Sequence, residues 1–127
     1  MASISVVEFE KALNSLQEAL SALDAQEDIK LKTMIRDATI QRFEFTCELS
    51  WKVAMKLAGL SPVAPKPAIR ELARLGDISN IDLWFDFIDA RNKSSHSYDE
   101  DIAIGIIEVV RTFLPEAKQL LKKLKTK

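Results

Sequence analysis

The chain has 127 residues, with 18 basic and 19 acidic side chains and a formal net charge of −1. This length suits a single domain over residues 1–127 that folds without disulfides, and the near-neutral charge excludes a protein that coats nucleic acid by charge alone, though not a local basic site. Because no apolar run has the length of a membrane span and the first residues lack the layout of a secretory signal, we expect a soluble, cytoplasmic protein that does not contact membranes.

Two long helices are predicted in the first half of the chain. The first covers residues 5–24, and after an acidic connection the second covers residues 29–57 and stops at Gly59, a residue that tolerates the left-handed backbone just past a helix end. The first helix has one apolar stripe, made of Phe9, Leu13, Leu16, Leu20 and Leu23.

The second helix has two apolar stripes. Two stripes suit either a second partner, such as the same helix of another copy, or a central helix that is buried on most sides. The first stripe holds Ile35, Ala38, Phe45, Leu49 and Val53, and the second holds Ile40, Phe43, Cys47, Trp51, Ala54 and Ala58.

Three more helices are predicted in the second half of the chain. Pro67 suits the first position of a short helix that ends at Gly76, and Asn80 suits the cap of a helix that reaches Arg91. The last helix contains Pro115 and ends in a lysine-rich tail. The sequence therefore predicts an all-α, up-and-down four-helix bundle with an extra short helix, which forms a homodimer.

The connection between the last two helices holds the residue types that suit chemistry. Ser97 and Glu100 have the spacing of a capping box, which predicts that the last helix begins at Tyr98. His96 would then lie just before that helix and Arg91 near the end of the previous one, so their side chains could converge across the turn. The full segment, residues 89–100, reads DARNKSSHSYDE.

This connection could bind a phosphate group. Arg91 could form a bidentate contact with a phosphate, and Lys93 would add positive charge. Neutral hydrogen bonds could come from Asn92, Ser94 and Ser95. His96, the only histidine, could transfer a proton near neutral pH, and the free amides of the last helix would favour an anion. A polar run between helices is also what an ordinary solvated loop looks like, and both interpretations stay open.

Other candidate sites are weaker. Asp82, Asp86 and Asp89 share a helix face and could attract a cation, but a solvated face looks the same. The lysine-rich tail could touch RNA, although lysine is also favoured at a helix C-terminus. Glu44 and Glu48, one turn apart on the second helix, suit ion pairs with Arg42 or Lys52 better than an acid–base pair. With a single cysteine and three glycines outside any phosphate-loop spacing, we expect neither a metal nor a cofactor.

Two stretches resemble the HEPN domains, in particular the nucleotidyltransferase substrate-binding proteins. The first is RDATIQRFEFTCELSWK, residues 36–52, and the second is DARNKSSHSYDE. The second fits the family pattern of an arginine, four residues, a histidine, one residue and a tyrosine. The predicted helix layout agrees over nearly the whole length.

The resemblance implies a dimeric four-helix bundle that is encoded beside a minimal nucleotidyltransferase, often as a toxin with its antitoxin. It implies that Arg91 and His96 are the catalytic pair of a metal-independent ribonuclease, with Asn92 as the accompanying polar residue and two copies meeting at the dimer interface. Tyr98 matches a tyrosine that the partner enzyme modifies with AMP in some pairs. The chain lacks the glycine-serine and paired-aspartate motif of the transferase, so it is not itself the nucleotidyltransferase.

Two functions follow. In the first, the protein is a ribonuclease toxin that its partner neutralises. In the second, it is a non-catalytic subunit that binds a substrate or nucleotide for the partner enzyme. The intact Arg91 and His96 favour the first, whereas the family's name and the near-neutral charge favour the second.

Overall fold

The computed structural model describes residues 5–61 and 63–127, and within them every regular element is a helix. This confirms the predicted all-α, up-and-down four-helix bundle, in which the third helix is the extra short one. The helices are α1 (Val6–Ala25), α2 (Ile29–Leu57), α3 (Pro65–Arg74), α4 (Ile81–Lys93) and α5 (Glu100–Lys125), and a 3₁₀ turn (Ser94–His96) joins the last two.

Helix α2 runs through the centre and contacts each of the other four helices. The stripe of α2 that includes Phe43 and Cys47 faces the core, and burial raises the pKa of the Cys47 thiol. Phe43 packs edge-on against Phe113 of α5, which also meets Trp84 and Phe87 of α4, with ring centroids 5.2 to 5.9 Å apart. Such edge-to-face pairs add to the free energy gained by burial, so this cluster fixes α4 and α5 against α2.

The other stripe of α2 is only partly covered by this chain. Val53 is buried and Ile35 and Leu49 are half-buried, but Ala38 is exposed and Phe45 is 46% exposed. The surface of α2 around Phe45 is therefore apolar and open in a single copy. Its coverage by a second copy stays a prediction.

The ends of α2, α3 and α4 follow the predicted chemistry, with a correction at the start of α3. Gly59 and Gly76 adopt φ of 73° and 83°, the left-handed backbone expected just past a helix end. Asn80 accepts a hydrogen bond from the Leu83 amide and caps α4. The prediction that Pro67 begins α3 is wrong, because Pro65 takes that first position, where no amide hydrogen is needed.

Three lysines of the lysine-rich tail contact other elements of the bundle. Lys125 pairs with Glu10 of α1, Lys127 pairs with the buried Asp77, and Lys123 donates to the carbonyl of Gly76. These contacts fasten α5 to α1 and to the α3–α4 connection. The tail therefore has a structural role, which weakens its alternative interpretation as an RNA contact.

The described residues show no feature of a metal centre or a membrane segment. Asp82, Asp86 and Asp89 are exposed, Asp89 pairs with Lys66 at 2.9 Å, and residues 5–61 and 63–127 contain no cluster of acidic, histidine or cysteine side chains able to hold a metal ion. Among the same residues, no helix is both long and apolar enough to cross a bilayer.

Candidate functional site

The connection from α4 to α5 is built as two successive turns. The amide of Ser97 donates to the carbonyl of Ser94 at 3.2 Å, and the amide of Asp99 donates to that of His96 at 3.1 Å. The prediction that Ser97 caps a helix beginning at Tyr98 is wrong. Ser97 has helical backbone angles, whereas Asp99 is extended and its carboxylate accepts from the Ile102 amide at 3.1 Å, so α5 begins at Glu100.

This shift changes the charge at the start of α5. Asp99 caps the helix, and Glu100 and Asp101 follow in its first turn. Asp99 accepts from the Ile102 amide, and all three carboxylates place negative charge at the positive end of the helix. These charges disfavour a phosphate at the amides of this helix, so the cationic side chains are better placed to bind an anion at the loop.

Arg91 is held by the central helix. Its Nε donates to Oε1 of Glu48 at 3.0 Å, and Oε2 of Glu48 lies 3.3 Å from Nζ of Lys52. About one third of the Arg91 side chain is exposed, at 32%. Its terminal nitrogens have no hydrogen bond within residues 5–61 and 63–127, so the guanidinium is fixed through one nitrogen while the other two stay available.

His96 and Tyr98 form an exposed pair on the same connection. The Tyr98 hydroxyl lies 3.4 Å from Nδ1 of His96, and the two rings meet edge-on with centroids 6.0 Å apart. Tyr98 is 84% exposed. Both side chains are therefore accessible to a large ligand or to another protein, and the His96 Nε2 atom has no partner in the described chain.

The remaining predicted site residues divide into surface and buried ones. Asn92, Lys93 and Ser95 are exposed, and Lys93 faces the groove between α4 and α5 with Asp89 and Asp101 rather than the α2 side that Arg91 contacts. Ser94 is buried, and its hydroxyl donates to the carbonyl of Arg91. Ser94 therefore stabilises the end of α4, and its hydroxyl is not exposed for a ligand.

Glu48 is the site residue that sequence reasoning missed. Its pairing with Lys52, one turn further along α2, matches the expected ion pair between neighbours in the helix. Its contact with Arg91 joins residues 43 positions apart, and no local spacing predicts such a contact. Arg42, the other base that could have paired with these glutamates, donates instead to the carbonyl of Ser15.

Comparison with known proteins shows which family the chain belongs to. The family model described as nucleotidyltransferase substrate binding protein like matches residues 5–126, nearly the whole chain. The chain belongs to this family. The resemblance inferred from the two sequence stretches is thereby confirmed.

Members of the nucleotidyltransferase substrate-binding family and their relatives share both sequence and fold with this chain. A probable ribonuclease of Haemophilus influenzae, HepT, is 34% identical over 110 residues, which cover 80% of this chain and 75% of the relative. A crystal structure from Thermus thermophilus has a TM-score of 0.79 at 31% identity and covers 91% of this chain and 98% of its own. A Haemophilus influenzae structure, reported as the fold of a substrate-binding domain of a nucleotidyltransferase, has a TM-score of 0.79 at 27% identity and covers 94% of this chain and 98% of its own.

Proposed function

We propose that this protein is a metal-independent ribonuclease toxin that a partner nucleotidyltransferase neutralises. The observation that carries the proposal is the arrangement of Arg91 and His96. Glu48 fixes the Arg91 guanidinium through Nε and leaves its terminal nitrogens available, and the exposed His96 lies on the connection that follows the Arg91 turn of α4. The ribonuclease name of the Haemophilus relative supports the same conclusion.

The proposed reaction is an internal attack within the RNA chain. The His96 imidazole accepts the proton of a ribose 2′-hydroxyl, and the 2′-oxygen forms a bond to the adjacent phosphorus while the bond to the 5′-oxygen of the next nucleotide breaks. Arg91 stabilises the negative charge that builds on the non-bridging phosphate oxygens. The leaving 5′-oxygen takes up a proton from water, so the products are a 2′,3′-cyclic phosphate and a free 5′-hydroxyl.

The same proposal assigns roles to the neighbouring residues and to a second copy. Asn92 and Lys93 at the end of α4 and Ser95 on the connection contact the RNA backbone. Two copies bring their connections together at a homodimer interface, so that each cleavage site contains side chains from both. Neither a metal nor a cofactor takes part in any step of this reaction.

Neutralisation would act on Tyr98. The family name supports a nucleotidyltransferase as partner, and the exposed Tyr98 hydroxyl beside His96 is a suitable acceptor for AMP. The added phosphate would place negative charge next to Arg91, where it competes with the RNA backbone.

A second function is favoured by the charges at the start of α5. Asp99, Glu100 and Asp101 surround the connection with carboxylates, which disfavour a long polyanion more than they disfavour a single phosphate. The protein would then bind a nucleotide or another substrate for the partner transferase without cleaving RNA. The substrate-binding description of the second Haemophilus structure supports this alternative.

Controlled expression separates the two functions. Production of the chain alone should arrest growth, and co-production of the neighbouring nucleotidyltransferase should restore it. The Arg91→Ala variant should be harmless at the same expression level. Unimpaired growth with the soluble wild-type chain would contradict the toxin function and favour the binding subunit.

A further inference from the structure

We propose that Glu48 is the positioning residue of this site, which orients the Arg91 guanidinium for phosphate and leaves its terminal nitrogens free. This inference rests on the proposed function in one respect, since it assumes that the ligand of Arg91 is an RNA phosphate. The contact itself joins the middle of α2 to the end of α4, with 3.0 Å between Arg91 Nε and Glu48 Oε1.

Glu48 lies on a stretch of α2 that is anchored in the core. Glu48 follows Cys47, which is fully buried, and precedes Ser50 and Trp51, which are also in the core. Arg91, in contrast, lies in the last turn of α4, where helix ends fray and the chain turns into the connection. A carboxylate on the central helix therefore supplies a fixed point for a guanidinium that its own helix end would hold loosely.

The geometry of the contact matters as much as its presence. A carboxylate that met Arg91 end-on would take both terminal nitrogens in a bidentate pair and leave nothing for a ligand. Glu48 instead accepts from Nε, at the inner side of the guanidinium. The two terminal nitrogens can then form the bidentate contact with a phosphate, the geometry in which arginine binds that group best.

Lys52 completes the arrangement by sharing the carboxylate. Its Nζ lies 3.3 Å from the Glu48 oxygen that does not contact Arg91. One carboxylate thus faces two cations, and the group of three keeps one net positive charge. Glu48 can therefore orient Arg91 without cancelling the attraction of the site for an anion.

The first test compares variants at Glu48 in RNA cleavage. Glu48→Ala should lower kcat on the order of 100-fold and change KM by less than about threefold, because misplacing a group that acts on the transition state costs rate more than ground-state binding. Glu48→Gln, which keeps an oxygen at the same reach, should restore most of kcat. Loss of activity in Glu48→Gln equal to that in Glu48→Ala would overturn the positioning role.

Glu44 provides the matched control. It lies one turn before Glu48 on α2, is half-buried, and has neither a hydrogen bond nor an ion pair within residues 5–61 and 63–127. Glu44→Ala removes the same charge from the same helix without touching Arg91, and kcat should stay within about twofold of the wild-type value. An equal fall in Glu44→Ala would assign the effect to charge or folding and contradict the inference.

A second measurement works without catalysis. The Nε–H proton of Arg91, assigned by NMR through its loss in Arg91→Lys, should exchange slowly in the wild type and in Glu48→Gln, and at least tenfold faster in Glu48→Ala. If the exchange rate in Glu48→Ala equalled that of the wild type, the inference would be overturned, even if the wild-type protein cleaves RNA. Failure of the proposed function looks different, because the protein would then show this exchange pattern while neither it nor any variant cleaves RNA.

Discussion

His96 and Arg91 are held in different ways, and the difference matches their proposed tasks. Arg91 is half-buried and tied to the central helix through Glu48, as suits a group that must stabilise charge from a fixed position. His96 is exposed, with only the Tyr98 hydroxyl 3.4 Å away. A proton-transferring imidazole needs access to the ribose, and the open connection provides it.

The exposed Tyr98 hydroxyl gives a prediction at the scale of a single residue. Incubation with the neighbouring nucleotidyltransferase and ATP should add AMP to Tyr98, because no other part of the described chain covers this hydroxyl. Intact-mass measurement and peptide mapping should locate the modification there. Tyr98→Phe should show no mass gain and should keep its RNA cleavage in the presence of the partner. Modification at another residue, with a partner of demonstrated activity, would contradict this prediction.

At the scale of elements, the start of α5 is set by Asp99. Its carboxylate caps the helix, whereas the side chain of Ser97 has no capping hydrogen bond. Asp99→Ala should lower the free energy of unfolding by about 1 kcal/mol, the usual value of a helix cap. Ser97→Ala should change it by less than about 0.5 kcal/mol. Urea unfolding at one protein concentration would measure both, and the reverse order would restore Ser97 as the cap.

The pair between α1 and α5 predicts a dependence of stability on pH. Two hydrogen bonds from Arg111, at 2.7 and 2.8 Å, lower the pKa of Asp24 below its ordinary value. A lowered carboxyl pKa stabilises the fold above the ordinary aspartate pKa, and this contribution is lost as the pH falls through the folded-state pKa.

The variant Arg111→Met isolates this contribution. Because both side chains are more than one third exposed, water screens the pair, and the loss at pH 7 should be only about 0.5 kcal/mol. The difference in unfolding free energy between the variant and the wild type should shrink as the pH falls through the folded-state pKa of Asp24, since the carboxylate is then protonated. Lys30→Met, at an exposed residue of α2 without an ion pair in the described part of the chain, should show no such dependence. A constant difference between pH 7 and pH 2 in Arg111→Met would contradict the assignment.

At the scale of the whole molecule, the apolar surface around Phe45 lies next to the proposed site. Phe45 and Glu48 are three residues apart on α2 and are therefore neighbours on its surface. Ala38, Ile35 and Leu49 extend the same apolar stripe. A second copy that covers this stripe would bring two Arg91 side chains and two connections towards each other, as the ribonuclease proposal requires.

Light scattering tests this arrangement. The wild-type chain at micromolar concentration should have twice the 14.3 kDa mass of one chain. Phe45→Glu should return it to one chain and abolish RNA cleavage, because a buried carboxylate at the interface has no partner. Val7→Glu, at an exposed apolar residue of α1 that lies outside the stripe, should leave the dimer intact. A monomeric wild type would contradict the proposal that each cleavage site contains side chains from two copies.

The sequence was sufficient for the fold because the signals that define it are local. Apolar spacing, Gly59, Gly76 and Asn80 predicted the helices and most of their ends. The start of α5 was misplaced because Ser97 and Asp99 are both good caps, and only the turn formed by Ser94, which the sequence does not reveal, decides between them. The contact of Glu48 with Arg91 depends on how two distant helices pack, so it required the structure.

The central claim, that Arg91 and His96 form a metal-independent ribonuclease site, is tested most directly with a purified chain and one synthetic substrate. The substrate is a DNA oligonucleotide library with a single ribonucleotide at its centre, incubated in EDTA and analysed by mass spectrometry. We expect cleavage after the ribonucleotide, with a product that ends in a 2′,3′-cyclic phosphate. We expect no cleavage of an all-DNA library and none by His96→Ala. This variant should remain folded, with an unfolding free energy within about 1 kcal/mol of the wild type, because His96 is exposed. Undiminished cleavage by His96→Ala, or products without a cyclic phosphate, would contradict the account.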